Sequence, residues 1–184
     1  MIATQSTPSL FEQQRQHLAS LLEAVQRCVY FLDAADHSIS WPLLAETLEE
    51  HKKDTALFGS LAAINERFAK LQDTLGGAMR HAMDLSSEPA VTFLNVLAFY
   101  EKIGVIQSAT DWQTCRSARN LAAHSYETDY LLVAEHFNGL HAMRLQLYRT
   151  AGEFLNYCKA QLHIKPANLD FTAEFAAIVG ANSA

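Results

Sequence analysis

The sequence predicts an all-α protein, an antiparallel bundle of helices joined by short connections. Apolar residues recur at the spacing of an amphipathic helix along most of the 184 residues. Short clusters rich in Ser, Asp, Gly and Pro separate these stretches, as expected where one helix ends and the next begins. No stretch alternates apolar and polar residues like a half-buried strand, and no internal repeat is present.

Two helices are predicted in the N-terminal part of the chain. A long helix runs from Ser9 to about Asp33, and Asp36-His37-Ser38 is the connector after it. A shorter helix begins at Ser40-Trp41-Pro42, because serine suits the cap position and proline suits the first turn, and it ends near Lys53.

The middle of the chain contributes two more helices. The third runs from about Thr55 to Asp84 and is weakened locally by Gly76-Gly77. The cluster Ser86-Ser87-Glu88-Pro89 is a break, after which a fourth helix runs until Gly104 ends it.

Two helices and a tail complete the prediction. The fifth helix begins at Thr110 or Asp111, where Thr110-x-x-Gln113 resembles a capping box. The sixth begins near Asp129 and runs to about His163, with Pro166 beyond its end. Residues 170–184 form either one short docked helix or a loose tail.

Length and composition favour one soluble domain over residues 1–184, with no membrane span. The N-terminus lacks the basic and apolar regions of a secretory signal, which favours a cytoplasmic location. Three widely spaced cysteines predict buried free thiols rather than disulfides. The net charge of −6 argues against broad electrostatic capture of nucleic acid, although it permits a locally basic site.

Reactive side chains are concentrated between Cys115 and Asp129. At about 100° per residue, Arg119, Ala123, Arg116, Asn120 and His124 follow one another along an arc of roughly 140° on the fifth helix. The rest of the helix surface is apolar. The small side chain of Ala123 leaves a notch in the polar arc, suited to a ligand phosphate or to another helix.

These side chains match the needs of metal-free RNA cleavage. The 2′-hydroxyl attacks the adjacent phosphate, so a group of near-neutral pKa must move protons and a cation must stabilise the phosphate oxygens. His124 suits the first task and Arg119 the second, while Asn120 can hold an oxygen or orient the imidazole. Because one chain offers one such histidine, a separate acid and base would come most simply from two copies across a two-fold axis.

Other interpretations compete with this one. The same polar residues could form a capped or internally satisfied cluster of purely structural value, since an Arg-x4-His pair is a weak motif by itself. The segment Asp33 to His37 could supply metal ligands, but it lacks partners at a recognisable spacing and is better interpreted as a solvated cap. We therefore expect no metal. Gly76-Gly77 lacks a phosphate-loop context and indicates a bend or a close helix contact.

The pattern Arg119-Asn120-x3-His124-x-Tyr126 resembles the Arg-x4-His-x-Tyr signature of HEPN-domain proteins, in particular the HepT-like partners of minimal nucleotidyltransferases. The resemblance extends from roughly Leu57 to Leu155. It implies a HEPN-like core over about residues 55–163, extra helices on its N-terminal side and a tail over 164–184.

What the resemblance implies is a homodimeric toxin of a toxin-antitoxin pair, encoded beside a cognate nucleotidyltransferase and needing no cofactor. Arg119 and His124 would form a composite ribonuclease site at the dimer interface, with Asn120 beside them. Arg116, on the same polar arc, is our own candidate for a supporting contact with RNA. Nucleotidyl transfer (AMPylation) onto Tyr126 would silence the toxin. Some relatives are antitoxins or substrate-binding subunits, so a non-catalytic chain that docks the nucleotidyltransferase is the alternative. A structural helical dimer with a relict motif is the third interpretation.

Overall fold

The computed structural model describes residues 9–88, 90–121 and 129–182, and at positions 119–121 it describes the backbone. Every regular element within those residues is a helix, which confirms the all-α prediction. The helices are α1 (Leu10–His37), α2 (Ala45–Glu50), α3 (Thr55–Leu85), α4 (Phe93–Lys102), α5 (Ala109–Leu121), α6 (Tyr130–Tyr157) and α7 (Thr172–Ala181), with a π-helical turn at Cys158–Leu162. No described helix has the length and apolar character needed to cross a bilayer.

The core lies between α1, α3 and α6. Helices α1 and α3 run antiparallel, since His81 of α3 contacts the carbonyl of Gln14 near the start of α1. Helix α6 also runs opposite to α1, because the end of α1 contacts the middle of α6 and Arg15 near the start of α1 reaches Leu162 just beyond α6. Fully buried side chains fill the space between the three helices, among them Leu18, Leu22, Val25, Phe68, Leu71, Leu75, Leu140, Leu147 and Phe154.

Local capping explains where most helices start. Asp54 accepts hydrogen bonds from the amides of Ala56 and Leu57 at the start of α3. Thr92 and Asn95 form a reciprocal capping box at the start of α4. Asp129 accepts from two amides at the start of α6. Each cap satisfies amides that a helix leaves without partners in its first turn.

The prediction for the second helix is wrong in its start and its cap. Helix α2 begins at Ala45, and the preceding residues are held in irregular structure by contacts with α6. Asn138 of α6 donates to the carbonyl of Leu43 at 2.9 Å and accepts from the amide of Leu43 at 2.8 Å. This double hydrogen bond fixes the segment, so that Ser40 does not act as a helix cap.

The ends of two other elements also differ from prediction. Helix α1 continues to His37, so Asp36 is a buried helical residue rather than part of a connector. The sixth helix changes to π-helical geometry at Cys158, and His163 then adopts a left-handed conformation with φ of 54°. The C-terminal segment forms the docked helix α7, because Phe175 is buried against the bundle.

Candidate functional site

Helix α5 carries the first part of the predicted site. It begins at Ala109, and Ser108 accepts from the amide of Asp111 at 3.1 Å, so the predicted capping box at Thr110 does not form. The carboxylate of Glu101 also lies 3.3 Å from the amide nitrogen of Ala109. An acidic group at a helix N-terminus is favourable, and here it joins α5 to α4.

The buried face of α5 is anchored to α3 and α6. Trp112 is nearly fully buried, and its carbonyl accepts a hydrogen bond from Nε2 of Gln72 on α3 at 3.1 Å. Cys115 is fully buried and contacts Oε1 of Gln146 on α6 at 3.6 Å. Burial, with a smaller contribution from Asp111, raises the pKa of the Cys115 thiol to about 11. This cysteine is therefore a packing residue rather than a nucleophile.

Arg116 is exposed and lies one helical turn after Trp112, on the same side of α5. It lines a cleft of about 300 Å³ between α3, α4 and α5. Arg80, Gly76 and Gly77 of α3 and Phe93 of α4 also line this cleft. We call it the α5 cleft.

Gly76 explains how the three helices approach one another at this point. A Cβ atom there would lie 3.2 Å from the ring of Phe93 and 3.7 Å from that of Trp112. The absence of a side chain lets both rings pack against α3, which confirms the predicted close helix contact. At Gly77 a Cβ atom would meet nothing within 4 Å, so this position leaves the floor of the cleft open.

The electrostatic character of the α5 cleft is mixed but favours anions. Two guanidinium groups, Arg80 and Arg116, line it together with the single carboxylate of Asp73. Arg80 also lies over the ring of Phe93, 5.9 Å from its centroid. No ion pair within the described residues neutralises either arginine. Two such groups can hold phosphate oxygens through paired N–H donors.

The remaining predicted site residues lie at the end of α5 and beyond it. The backbone of α5 is helical through Arg119 and Asn120, which places these positions one turn after Arg116. His124 and Tyr126 lie outside the described residues, and so do the side chains of Arg119 and Asn120. Arg116 is accordingly the one predicted site residue whose side chain can be located.

Exposed apolar side chains follow the motif directly. Leu131 and Leu132, in the first turn of α6, are 57% and 46% exposed. Their amides are capped by Asp129, which fixes the start of the helix that carries them. The two side chains are thus exposed apolar surface that follows the motif in the chain.

Sequence reasoning did not find Arg80 and Phe93 as neighbours of Arg116, because they come from other helices. The sequence signal that could have indicated the cleft is Gly76-Gly77, which predicts only a bend or a close helix contact. Within the described part of the chain, no group of three His, Cys, Asp or Glu side chains is placed to hold a metal ion.

Comparison with known proteins finds no match among family models, curated proteins or solved structures.

Proposed function

We propose that this chain is the HEPN-type toxin of a toxin-antitoxin pair, a metal-independent endoribonuclease that acts as a homodimer. The observation that carries the proposal is the position of the α5 cleft. Two arginines without ion-pair partners among the described residues line a concave surface, and the helix that supplies one of them continues into the Arg119 to Tyr126 motif. A polyanion held at the cleft would reach the motif by following α5.

In this proposal the α5 cleft holds RNA phosphates and the motif performs the chemistry. The 2′-hydroxyl attacks the adjacent phosphorus while His124 of one copy accepts its proton. The bond from phosphorus to the 5′-oxygen breaks, and the second copy's histidine supplies a proton to that oxygen. Arg119 and Asn120 stabilise the charge on the phosphate oxygens. The products are a 2′,3′-cyclic phosphate and a free 5′-hydroxyl.

The exposed pair Leu131 and Leu132 supports an interface beside the motif. In the homodimer, an interface formed by these leucines would bring the motifs of the two copies together across a two-fold axis. The cognate nucleotidyltransferase would silence the toxin by modifying Tyr126, because an added phosphate would occupy the place of the RNA phosphate.

Expression without the neighbouring gene tests the toxin proposal. The wild type is expected to arrest growth and fragment RNA, and Arg119→Ala and His124→Ala are expected to do neither. Arg149→Ala, at an exposed position of α6, is the matched control and should behave like the wild type. Purified protein should also cleave RNA in the presence of EDTA, and the RNA fragments should end in 2′,3′-cyclic phosphates. Equal growth and intact RNA in every strain would defeat the proposal.

A second candidate is a non-catalytic antitoxin or substrate-binding subunit that docks the nucleotidyltransferase. The net charge of −6 and the exposed leucines favour it, because both suit a protein partner better than RNA. Mass spectrometry after coexpression with the neighbouring gene separates the candidates. A nucleotide-sized adduct that Tyr126→Phe abolishes supports silencing of a toxin. A stable complex without an adduct supports the docking subunit.

A further inference from the structure

A second concave surface is lined by none of the predicted site residues. It is a groove of about 580 Å³ between the end of α6, the π-helical turn and α7, and we call it the α7 groove. Its walls include the apolar side chains of Leu155, Ile164, Phe175 and Val179. The volume is within the range of about 300–1,000 Å³ typical of small-molecule sites.

The α7 groove is formed by elements that are held firmly in place. Gly152 lets α7 approach α6 closely, since a Cβ atom there would lie 2.7 Å from the side chain of Val179. At the other end, Arg15 donates to the carbonyls of Leu162 and His163 and fixes the turn after the π-helix. The close approach at Gly152 and the anchored turn at Leu162 and His163 hold two walls of the groove in place.

The charges that line the α7 groove have one sign. Lys159 and Lys165 are its only charged lining residues, and both are exposed. Neither forms an ion pair with a carboxylate among the described residues. The described lining of the groove thus offers two cations and no carboxylate, although the whole chain has a net charge of −6. It favours a ligand with an anionic end.

The uncharged polar side chains that line the α7 groove are few, namely Gln26, Asn156 and Thr172. Gln26 is buried, and its Oε1 already accepts from the hydroxyl of Thr172 at 3.3 Å. Leu169 is 67% exposed at the rim, so an apolar ligand would cover surface that water now contacts. The groove therefore suits a molecule with one anionic end and an apolar body.

We propose that the α7 groove binds a free long-chain carboxylate, with its carboxylate at Lys159 and Lys165 and its alkyl chain along Leu155, Phe175 and Val179. Each methylene group buried in the groove is removed from water, so an alkyl chain of moderate length supplies the affinity and the lysines orient it. A nucleotide fits less well, because the lining offers no unpaired buried polar group to a base. This site is separate from the α5 cleft and does not depend on the proposed ribonuclease activity.

Calorimetric titration of the full chain with sodium dodecanoate, below its micelle-forming concentration, tests the proposal. We expect saturable binding of one molecule per chain. Lys159→Glu combined with Lys165→Glu should weaken it by about tenfold or more, since two attractive charges at the carboxylate end become two repulsive ones. The matched control, Lys52→Glu with Lys53→Glu, makes the same charge change at exposed positions before α3 and should bind like the wild type.

Two neighbouring alanines of α7 test the position of the alkyl chain. Ala176 lines the α7 groove and Ala177 does not, and both are exposed. Ala176→Trp should abolish dodecanoate binding by filling the groove, while Ala177→Trp should leave it intact. Circular dichroism shows whether both variants fold. If Ala176→Trp does not fold, the lysine variants alone decide whether the groove binds dodecanoate.

Two further ligands complete the test, one of opposite charge and one presented in a lipid membrane. Dodecyltrimethylammonium should bind at least tenfold more weakly than dodecanoate. The proposal would be overturned if the protein bound both ligands with equal affinity or showed no saturable binding of dodecanoate. It would also be overturned if the control lysine variants weakened dodecanoate binding as much as the groove variants do. Sedimentation with phosphatidylglycerol vesicles, without binding of the free carboxylate, would also overturn it and indicate a membrane-surface role.

Discussion

The carboxylate of Asp36 lies 2.8 Å from Nδ1 of His141, although the two residues are 105 positions apart in the chain. Its second oxygen lies 3.0 Å from Nε of Arg144, and the carboxylate is almost completely buried. The ring of Trp41 stacks on His141 with centroids 4.2 Å apart. This cluster joins the end of α1, the segment before α2 and the middle of α6.

Removing the charge of Asp36 should destabilise the fold strongly. In Asp36→Asn the guanidinium of Arg144, whose side chain is only 13% exposed, would lose its carboxylate partner. A buried charge left without its partner costs about 3–5 kcal/mol. Urea unfolding should record a loss of that size. Glu88→Gln, at an exposed position after α3, removes the same charge and should change the unfolding free energy by less than about 0.5 kcal/mol. A similar small effect in both variants would contradict the structural role of Asp36.

The stability of the protein should depend on pH through His136. Burial lowers the pKa of this half-buried histidine, so the folded state favours its neutral form. Below about pH 6.5 the unfolded chain then binds more protons than the folded chain at this position. The stability that His136 contributes is complete above that pH and is lost as the pH falls.

Comparison of His136→Gln with the wild type isolates this effect. The variant should lose less unfolding free energy than the wild type between about pH 7.5 and about pH 5.5, as measured by urea unfolding. His51→Gln, an exposed histidine in the connection before α3, should follow the wild type. A pH dependence unchanged in His136→Gln would show that the protonation of this histidine does not differ between the two states.

All three cysteines should be protected in the folded protein. Cys115 and Cys158 are fully buried and Cys28 nearly so. Burial raises the pKa of Cys158 to about 12 and that of Cys115 to about 11, which depletes the reactive thiolate. Ellman's reagent should therefore titrate three thiols per chain in guanidinium and fewer than one on the same time scale in buffer. Rapid reaction of the native protein would contradict the buried positions.

The two adjacent glycines of α3 should respond differently to alanine. Gly77→Ala should stabilise the protein by about 0.5–1 kcal/mol, because alanine is the better helix former and meets no neighbour. At Gly76 the same gain is opposed by contact with the Phe93 ring at 3.2 Å, so Gly76→Ala should be the less stable of the two. Thermal unfolding of both variants gives the comparison. Equal stabilisation would mean that Phe93 moves without cost.

Local sequence signals account for the elements that were predicted well. The third helix was predicted over Thr55 to Asp84 and forms over Thr55–Leu85, because its apolar period is long and Asp54 caps it directly. Distant contacts account for the errors before α2 and at the end of α1, whereas the start of α5 differs because Ser108 caps it locally. The segment before α2 is held by Asn138, 95 positions away, and Asp36 is buried because its partners lie on α6. No local pattern contains this information.

The same distinction applies to the candidate site. The polar arc predicted on α5 places Arg116 at the surface, and its side chain is exposed. Arg80 and Phe93, which complete the cleft, are brought to Arg116 by helix packing at Gly76. A motif read along one helix identifies one wall of a cleft, whereas the facing wall depends on tertiary structure.

The arginines of the α5 cleft should set the salt dependence of RNA binding. If each holds one phosphate of a single strand, Arg80→Ala and Arg116→Ala should each weaken binding and reduce the slope of log affinity against log salt by about 0.7. Fluorescence anisotropy with a labelled single-stranded RNA, in catalytically inactive His124→Ala protein, measures both quantities. Arg149→Ala on α6 removes an exposed arginine outside the cleft lining and should leave the slope unchanged. If all three substitutions reduce affinity equally, the RNA is held by general charge; if only the two cleft variants do, the phosphate track runs through the α5 cleft toward the motif.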